Sequence, residues 1–279
     1  MTFGRLLAST VLTLSMLASP VLAKEWTKVT ITTEGAYAPW NTTNADGTLG
    51  GFEPALAKVL CERMKVECTV VASPWDSMIT SLNAGKFDVI MDALAITDER
   101  RKVIDFSVPY ASTPAAFATA TGSSSEKAPG TGSTVLLKAG QKGGAELEAL
   151  RESFKGKTIG IMAATSYATF IYDNFADVAM VREYKTGPER DLDLESGRID
   201  VGFDDAVYFG SAFESAKGAL AFTGPVIDGP IWGEGEAFGL RQSDPELRDM
   251  FSAAIKSVLA DGTLKKLSLE YLKTDVSPK

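Results

Sequence analysis

The chain has 279 residues, 45% of them hydrophobic and 23% charged, which is ordinary for a soluble globular protein and leaves room for two compact domains. Its formal net charge of −8 argues against nucleic acid or anionic lipid as a partner. Histidine is absent altogether, which excludes His-based zinc sites, Ser-His-Asp triads and Cys-His dyads.

The first 23 residues, MTFGRLLASTVLTLSMLASPVLA, set Arg5 before an apolar core from Leu6 to Leu17 and end on Val21-Leu22-Ala23. This is the pattern of a cleaved secretory signal, its core being shorter than the roughly 20 residues a membrane-spanning helix needs. After it, VTITTE alternates as a strand, and GAYAPWNTTNADGTLGG reads as a loop with turns at Asp46-Gly47 and Gly50-Gly51. Glu53-Pro54 opens a helix that carries Leu56, Val59, Leu60 and Met64 on one face. The two cysteines, Cys61 and Cys68, stand in CERMKVEC; in an exported chain they are most simply a disulfide, with two buried thiols as the alternative. CTVVAS then reads as a strand, followed by a helix from about Asp76 to Ala84.

The next stretch, LNAGKFDVIMD from Leu82, recurs as LESGRIDVGFD from Leu194, with Gly197 falling 112 positions after Gly85. Each copy parses as a helix that ends at a left-handed glycine, a basic residue, and a short buried strand. The order βαβαβ around the first copy implies a parallel sheet, and the second copy implies a second, similar α/β unit. Thr97 caps a short helix with Asp98 and Glu99 in its first turn, and PYASTPAAFATA looks like a crossing between units. The Gly-, Ser- and Thr-rich segment from Gly122 to Gly144 reads as an exposed insertion. KTIGIM, a helix beginning near Thr165-Ser166, VAMVREY, PERDLDLESG and RIDVGFDD then repeat the strand and helix order. AFTGPVIDGPIWGEGEAFGLR suits a second crossing, and Asp244 to Tyr271 is helical with a break at Asp261-Gly262.

Ligands of doubly wound sheets sit beyond the carboxyl ends of the strands. Here those ends bring Glu34 to Tyr37, Pro74-Trp75, Asp92 to Arg100, Met162 to Ser166 and Asp204-Asp205 around one cleft. Arg100 is a forked cation suited to a carboxylate, and the helix start at Thr165 and Ser166 offers N–H groups to the same anion. Glu34, Asp92 and Asp205 want cations, and Tyr37 and Trp75 are aromatic plates for a flat or cationic chain. The complement is a zwitterion with a cationic tail. Each residue also has a purely structural reading: Arg100 paired with Asp98 or Asp105, Tyr37 and Trp75 in the core, Asp92 and Asp205 as helix caps.

The pieces TTEGAYAPW, GTLGGFEPALAKVLCERMKVEC, WDSMITSLNAGKFDVIMDALAITDERRKVIDFSVPY, GRIDVGFDD, AFTGP and LADGTLKKLS resemble the family 3 extracellular solute-binding proteins of polar amino-acid ABC importers. Within that family they resemble the lysine/arginine/ornithine-, histidine-, octopine- and nopaline-binding proteins. The resemblance implies a two-lobe periplasmic-binding-protein fold, each lobe a mostly parallel sheet flanked by helices, joined by a two-strand hinge. The lobes would comprise residues 24–113 with 235–279, and residues 114–234. It implies that Arg100, with Thr165, takes an α-carboxylate, Asp205 an α-ammonium, Tyr37 and Trp75 the flanks of the side chain and Glu34 its distal end. It also matches Cys61 and Cys68 to bridged cysteines. Where amino-acid binders often carry serines this chain has Asp92, Ala93 and Ala95, so two hydroxyls are missing and one carboxylate is added. The expected protein is therefore a periplasmic monomer without metal or cofactor, which binds a basic amino acid or an opine and delivers it to a membrane permease. The alternative is a secreted dehydratase- or lyase-like enzyme on the same fold, with Asp92 as acid or base.

Overall fold

The structure is a computed structural model that describes residues 25–278; the signal peptide expected over residues 1–23 lies outside them. The repeated phrase forms the same backbone device twice. After the helix Met78–Asn83, the N–H of Gly85 donates to the carbonyl of Leu82 and that of Lys86 to Ser81. After the helix Gly187–Glu195, Gly197 donates to Leu194 and Arg198 to Asp193. This is the Schellman closure, which needs a left-handed residue just past the helix, and Gly85 and Gly197 have φ of 74° and 68°.

Each copy feeds the centre of a different sheet. The first sheet runs Glu67–Ala72, Lys28–Thr33, Val89–Ile90, Gly239–Leu240, Asp105–Phe106. Lys28 to Thr33 pair in parallel with Glu67 to Ala72, and Ile31 with Val89. The second runs Met180–Tyr184, Thr158–Met162, Val201–Asp205, Ala115–Ala120, Leu220–Asp228, Thr134–Leu136. Its first three strands are parallel, with Thr158 opposite Met180 and Ile159 opposite Val201. Each sheet is mostly parallel, as expected, with one of its described strands running against the rest. Residues 115–120 and 239–240 enter their sheets straight from the crossings, against the direction of the repeated units, and so pair antiparallel.

The expected exposed insertion needs a correction. Within residues 122–144, Thr134–Leu136 extends the second sheet by pairing in parallel with Val226 to Asp228, and Ser125, Ala128 and Leu137 are buried. Polar composition hid a strand that has only one neighbour.

The crossings run side by side, with the N–H of Glu236 donating to Ala111 and that of Tyr110 to Glu236. Helix Phe52–Met64 buries Phe52, Leu56 and Leu60 and packs against Pro245–Ala260 and Thr263–Tyr271, whose Phe251, Ile255, Val258 and Leu264 are also buried. Full burial of such side chains contributes about 1.5–3 kcal/mol each. Cys61, on this helix, is bridged to Cys68 in the following strand, as expected.

Candidate functional site

The carboxyl ends of the two sheets face one another across a cavity of about 30 Å³, room for a water or two. It is lined by Glu34, Tyr37, Trp75, Asp92, Ala93, Ala95 and Arg100 from the first sheet's side, and by Met162, Thr165, Ser166 and Tyr167 from the second's. Nine of the ten candidate ligand residues thus come together, and the exception, Asp205, has work elsewhere.

Asp205 ends the strand Val201–Asp205 and caps the helix Ala206–Ser215 by accepting the N–H of Tyr208 at 2.8 Å. The same oxygen accepts Trp40 Nε1 at 3.2 Å, and the other accepts the Thr113 hydroxyl. Its neighbour Asp204 is held by Arg190, which is fully buried, and by the hydroxyl of Tyr37. Both acids at the second sheet's end are therefore engaged by protein donors.

The first sheet's acids at the cavity are engaged only in part. Asp92 follows the strand Val89–Ile90, and its Oδ1 accepts three bonds, from Thr33 Oγ1 at 3.0 Å, the N–H of Glu34 at 3.1 Å and Asn41 Nδ2 at 2.7 Å. Its Oδ2, and Oε1 of Glu34, are buried atoms without a hydrogen-bond partner among the described residues. Burial pushes the Glu34 carboxyl up to about 9, with Asp92, Asp204 and Glu53 adding to the rise. Burial and then Glu53 push Asp92 up to about 8, against the bonds it accepts. Glu53 itself accepts the N–H of Ala93, the Tyr110 hydroxyl and Asn41 Nδ2, and burial raises it too.

Arg100 is the cation on this cavity. Its guanidinium lies 5.2 Å from the centre of the Trp75 ring and donates to the carbonyls of Ala95 at 2.9 Å and Ala164 at 3.4 Å. Burial lowers it to about 10, so it is still charged at neutral pH. Thr165 caps the helix Ser166–Phe175 by accepting the N–H of Ala168 at 3.0 Å, which leaves the first N–H groups of that helix at the cavity. Ala93 and Ala164, one on each side, hold positive φ of 43° and 60°, a conformation that costs an alanine about 1–2 kcal/mol. Strain of this kind collects at binding sites.

Tyr37 stacks on Tyr208 with ring centres 4.7 Å apart, and Trp75 Nε1 donates to the carbonyl of Ala163 at 3.1 Å. Both rings touch the cavity and hold its two sides together. Tyr167, Tyr208, Arg190, Glu53 and Glu236 were not among the sequence candidates. Tyr167 had a legible signal, an aromatic in the first turn of a helix that follows a strand end.

Residues 29–274 match the bacterial extracellular solute-binding proteins, family 3. The chain belongs to that family. This solute-binding protein is 38% identical over 270 residues to an octopine-binding periplasmic protein of Rhizobium meliloti, across 90% of this chain and 92% of that one. It is 33% identical over 271 residues to an L-arginine-binding protein of Pseudomonas aeruginosa, across 95% of both. Its fold matches a periplasmic His/Glu/Gln/Arg/opine family-binding protein from Silicibacter pomeroyi in complex with lysine, with a TM-score of 0.72 and 30% identity over 90% of this chain and all of that one. These relatives are binding proteins and not enzymes, which sets aside the dehydratase or lyase alternative on Asp92.

Proposed function

We propose that this protein is the periplasmic substrate-binding component of an ABC importer and captures a basic amino acid, of the arginine, ornithine and lysine class, or an amino-acid-derived opine. The observation that carries this reading is the charge inventory of the cavity: one guanidinium, a helix start, and two carboxyls that have no cation of their own. A zwitterion with a cationic side chain supplies what each lacks. Arg100 and the helix start at Thr165 and Ser166 receive the carboxylate. Glu34 and Asp92 receive the side-chain cation between the rings of Tyr37 and Trp75. Ala93 and Ala95 keep the wall small where a serine would have added a hydroxyl. Asp205 reaches an α-ammonium only by exchanging one of its present donors, so its part in binding depends on how the second side moves.

The sheets support two lobes, residues 24–113 with 235–279 and residues 114–234, joined by the crossings near Ala111 and Glu236. A cavity this small excludes an amino acid while the lobes touch, so capture requires them to part and close again around the ligand. The permease would read the closed surface.

Calorimetric titration of ligand-free protein with arginine, ornithine, lysine and octopine tests the reading. Micromolar or tighter binding of at least one, about −8 kcal/mol or better, is expected. Arg100→Ala should weaken that ligand at least about tenfold, the loss of a charge-assisted bond of about 1.5–3 kcal/mol. Unchanged affinity in the variant removes the carboxylate role, and silence from all four ligands removes the ligand class.

A further inference from the structure

We propose that Glu34 and Asp92 keep a proton in the ligand-free protein and release it when a cationic side chain binds, so that the site exchanges a proton for its ligand's positive charge. The inference rests on the reading of the site as one for a cationic ligand.

The geometry carries it. Asp92 lines the cavity and is 5% exposed, and its Oδ1 already accepts three bonds while its buried Oδ2 accepts none among the described residues. Glu34, whose N–H is one of those three donors, lines the same cavity and has a second buried oxygen, Oε1, without a bond. No cation among the described residues bonds to either, although Arg100 is near enough to Asp92 to feel its charge. From the helix Phe52–Met64 comes another acid, Glu53. From the strand Val201–Asp205 comes Asp204, whose charge is answered by Arg190. From the short helix Asp98–Arg101 comes Arg100, whose bonds go to carbonyl oxygens. Tyr37 gives its hydroxyl proton to Asp204, and Tyr110 gives its own to Glu53. Two adjoining carboxylates buried without a counter-ion are unfavourable, and the ordinary resolution is to hold a proton. Burial raises both groups, in line with this.

A bound guanidinium or ammonium changes the balance. The O–H bond of the protonated carboxyl breaks, the proton passes to a buffer base, and the ligand's N–H groups donate to the freed carboxylate. Because one proton leaves as one cation arrives, the charge of the cavity is unchanged by binding. Apparent affinity then rises with pH, by up to about tenfold per unit, until the carboxyls are already ionised in the free protein.

The test is calorimetry at pH 7 in phosphate, HEPES and Tris, which differ in ionisation heat, using whichever of arginine, lysine, ornithine and octopine binds. The measured enthalpy should vary with buffer heat at a slope of about one proton released per ligand. At pH 9.5 the slope should shrink, and in the double variant Glu34→Gln, Asp92→Asn it should vanish at pH 7. Heat that does not depend on buffer overturns the exchange while leaving the cationic-ligand reading in place. The same slope in the double variant overturns the assignment to these two carboxyls. Absence of heat from every ligand removes both. Where the double variant binds too weakly to titrate, Glu34→Gln and Asp92→Asn are read singly, and a wild-type slope in both overturns the assignment.

Discussion

Thr113 has one hydroxyl proton and two carboxyl neighbours. Its oxygen lies 2.9 Å from Oε1 of Glu236 and also within bonding distance of Oδ2 of Asp205. It can donate to only one of them, so the other must carry a proton to complete the pair. Burial and then Asp205 raise Glu236 to about 8, which makes it the holder of that proton. A carboxyl whose folded value lies above its unfolded one binds a proton more tightly when folded. Its contribution to stability is fully present below the unfolded value of 4.5 and is lost as pH rises through about 8. Thermal stability of the ligand-free protein should therefore fall between pH 6 and pH 9, and Glu236→Gln should fall less over the same interval. Equal losses in the two proteins would show that Glu236 does not hold the proton. Glu236 was not legible as a site residue, because nothing in GEGEAFG distinguishes a buried glutamate on a crossing from a solvated one. Asp205 was legible as an acid at a strand end but equally as a cap, and the cap is what the helix after it uses. Glu34, Asp92 and Arg100 were legible because each follows a strand of recognisable pattern and carries a charge that the strand itself does not need.

At the level of elements, the repeated phrase specified its structure closely, since a helix end, a left-handed glycine and a buried strand are each local decisions. No atom lies within 4 Å of where a Cβ would stand at Gly85 or Gly197, so space is not what demands glycine there. Backbone conformation alone is. Gly197→Ala should lower stability by about 1–2 kcal/mol through the left-handed penalty, with little change in ligand affinity; a neutral effect in chemical denaturation would deny the closure its role. The helix Gly187–Glu195 misled in a different way. Its buried residues are Gly187, Arg190, Asp191, Asp193 and Leu194, three of the five charged, while Leu192 is exposed. Hydrophobic periodicity cannot find such a face. Arg190 is stabilised there by Asp191 and Asp204 and by the rings of Tyr208 and Phe209, a set assembled from two further elements. The strand Thr134–Leu136 escaped for a related reason, since its pairing partner is about 90 residues away and the Gly-, Ser- and Thr-rich segment around it masks so short a run.

At the scale of the whole molecule, polar bonds and a ring stack among the described residues link the two sides of the cleft, among them Trp75 to Ala163, Tyr37 to Asp204, Trp40 to Asp205, Arg100 to Ala164, and Tyr37 on Tyr208. Two of the rings that do this, Tyr37 and Trp75, also line the cavity, so parting the two sides would break contacts made by the cavity's own walls. The βαβ order and the repeat made the paired α/β architecture readable, because parallel sheets with short crossings admit few alternatives. What the sequence could not convey is how the acids divide their labour. Asp204 and Asp205 are bonded to protein donors, whereas Glu34 and Asp92 each keep one oxygen without a bond among the described residues. The most direct measurement of that division is a side-by-side titration with arginine and with citrulline, which is nearly the same shape but neutral at its end, together with octopine. If Glu34 and Asp92 hold a side-chain cation, arginine or octopine binds and citrulline is weaker by at least about tenfold, the worth of one charge-assisted bond. Citrulline binding as tightly as arginine or octopine would contradict the account.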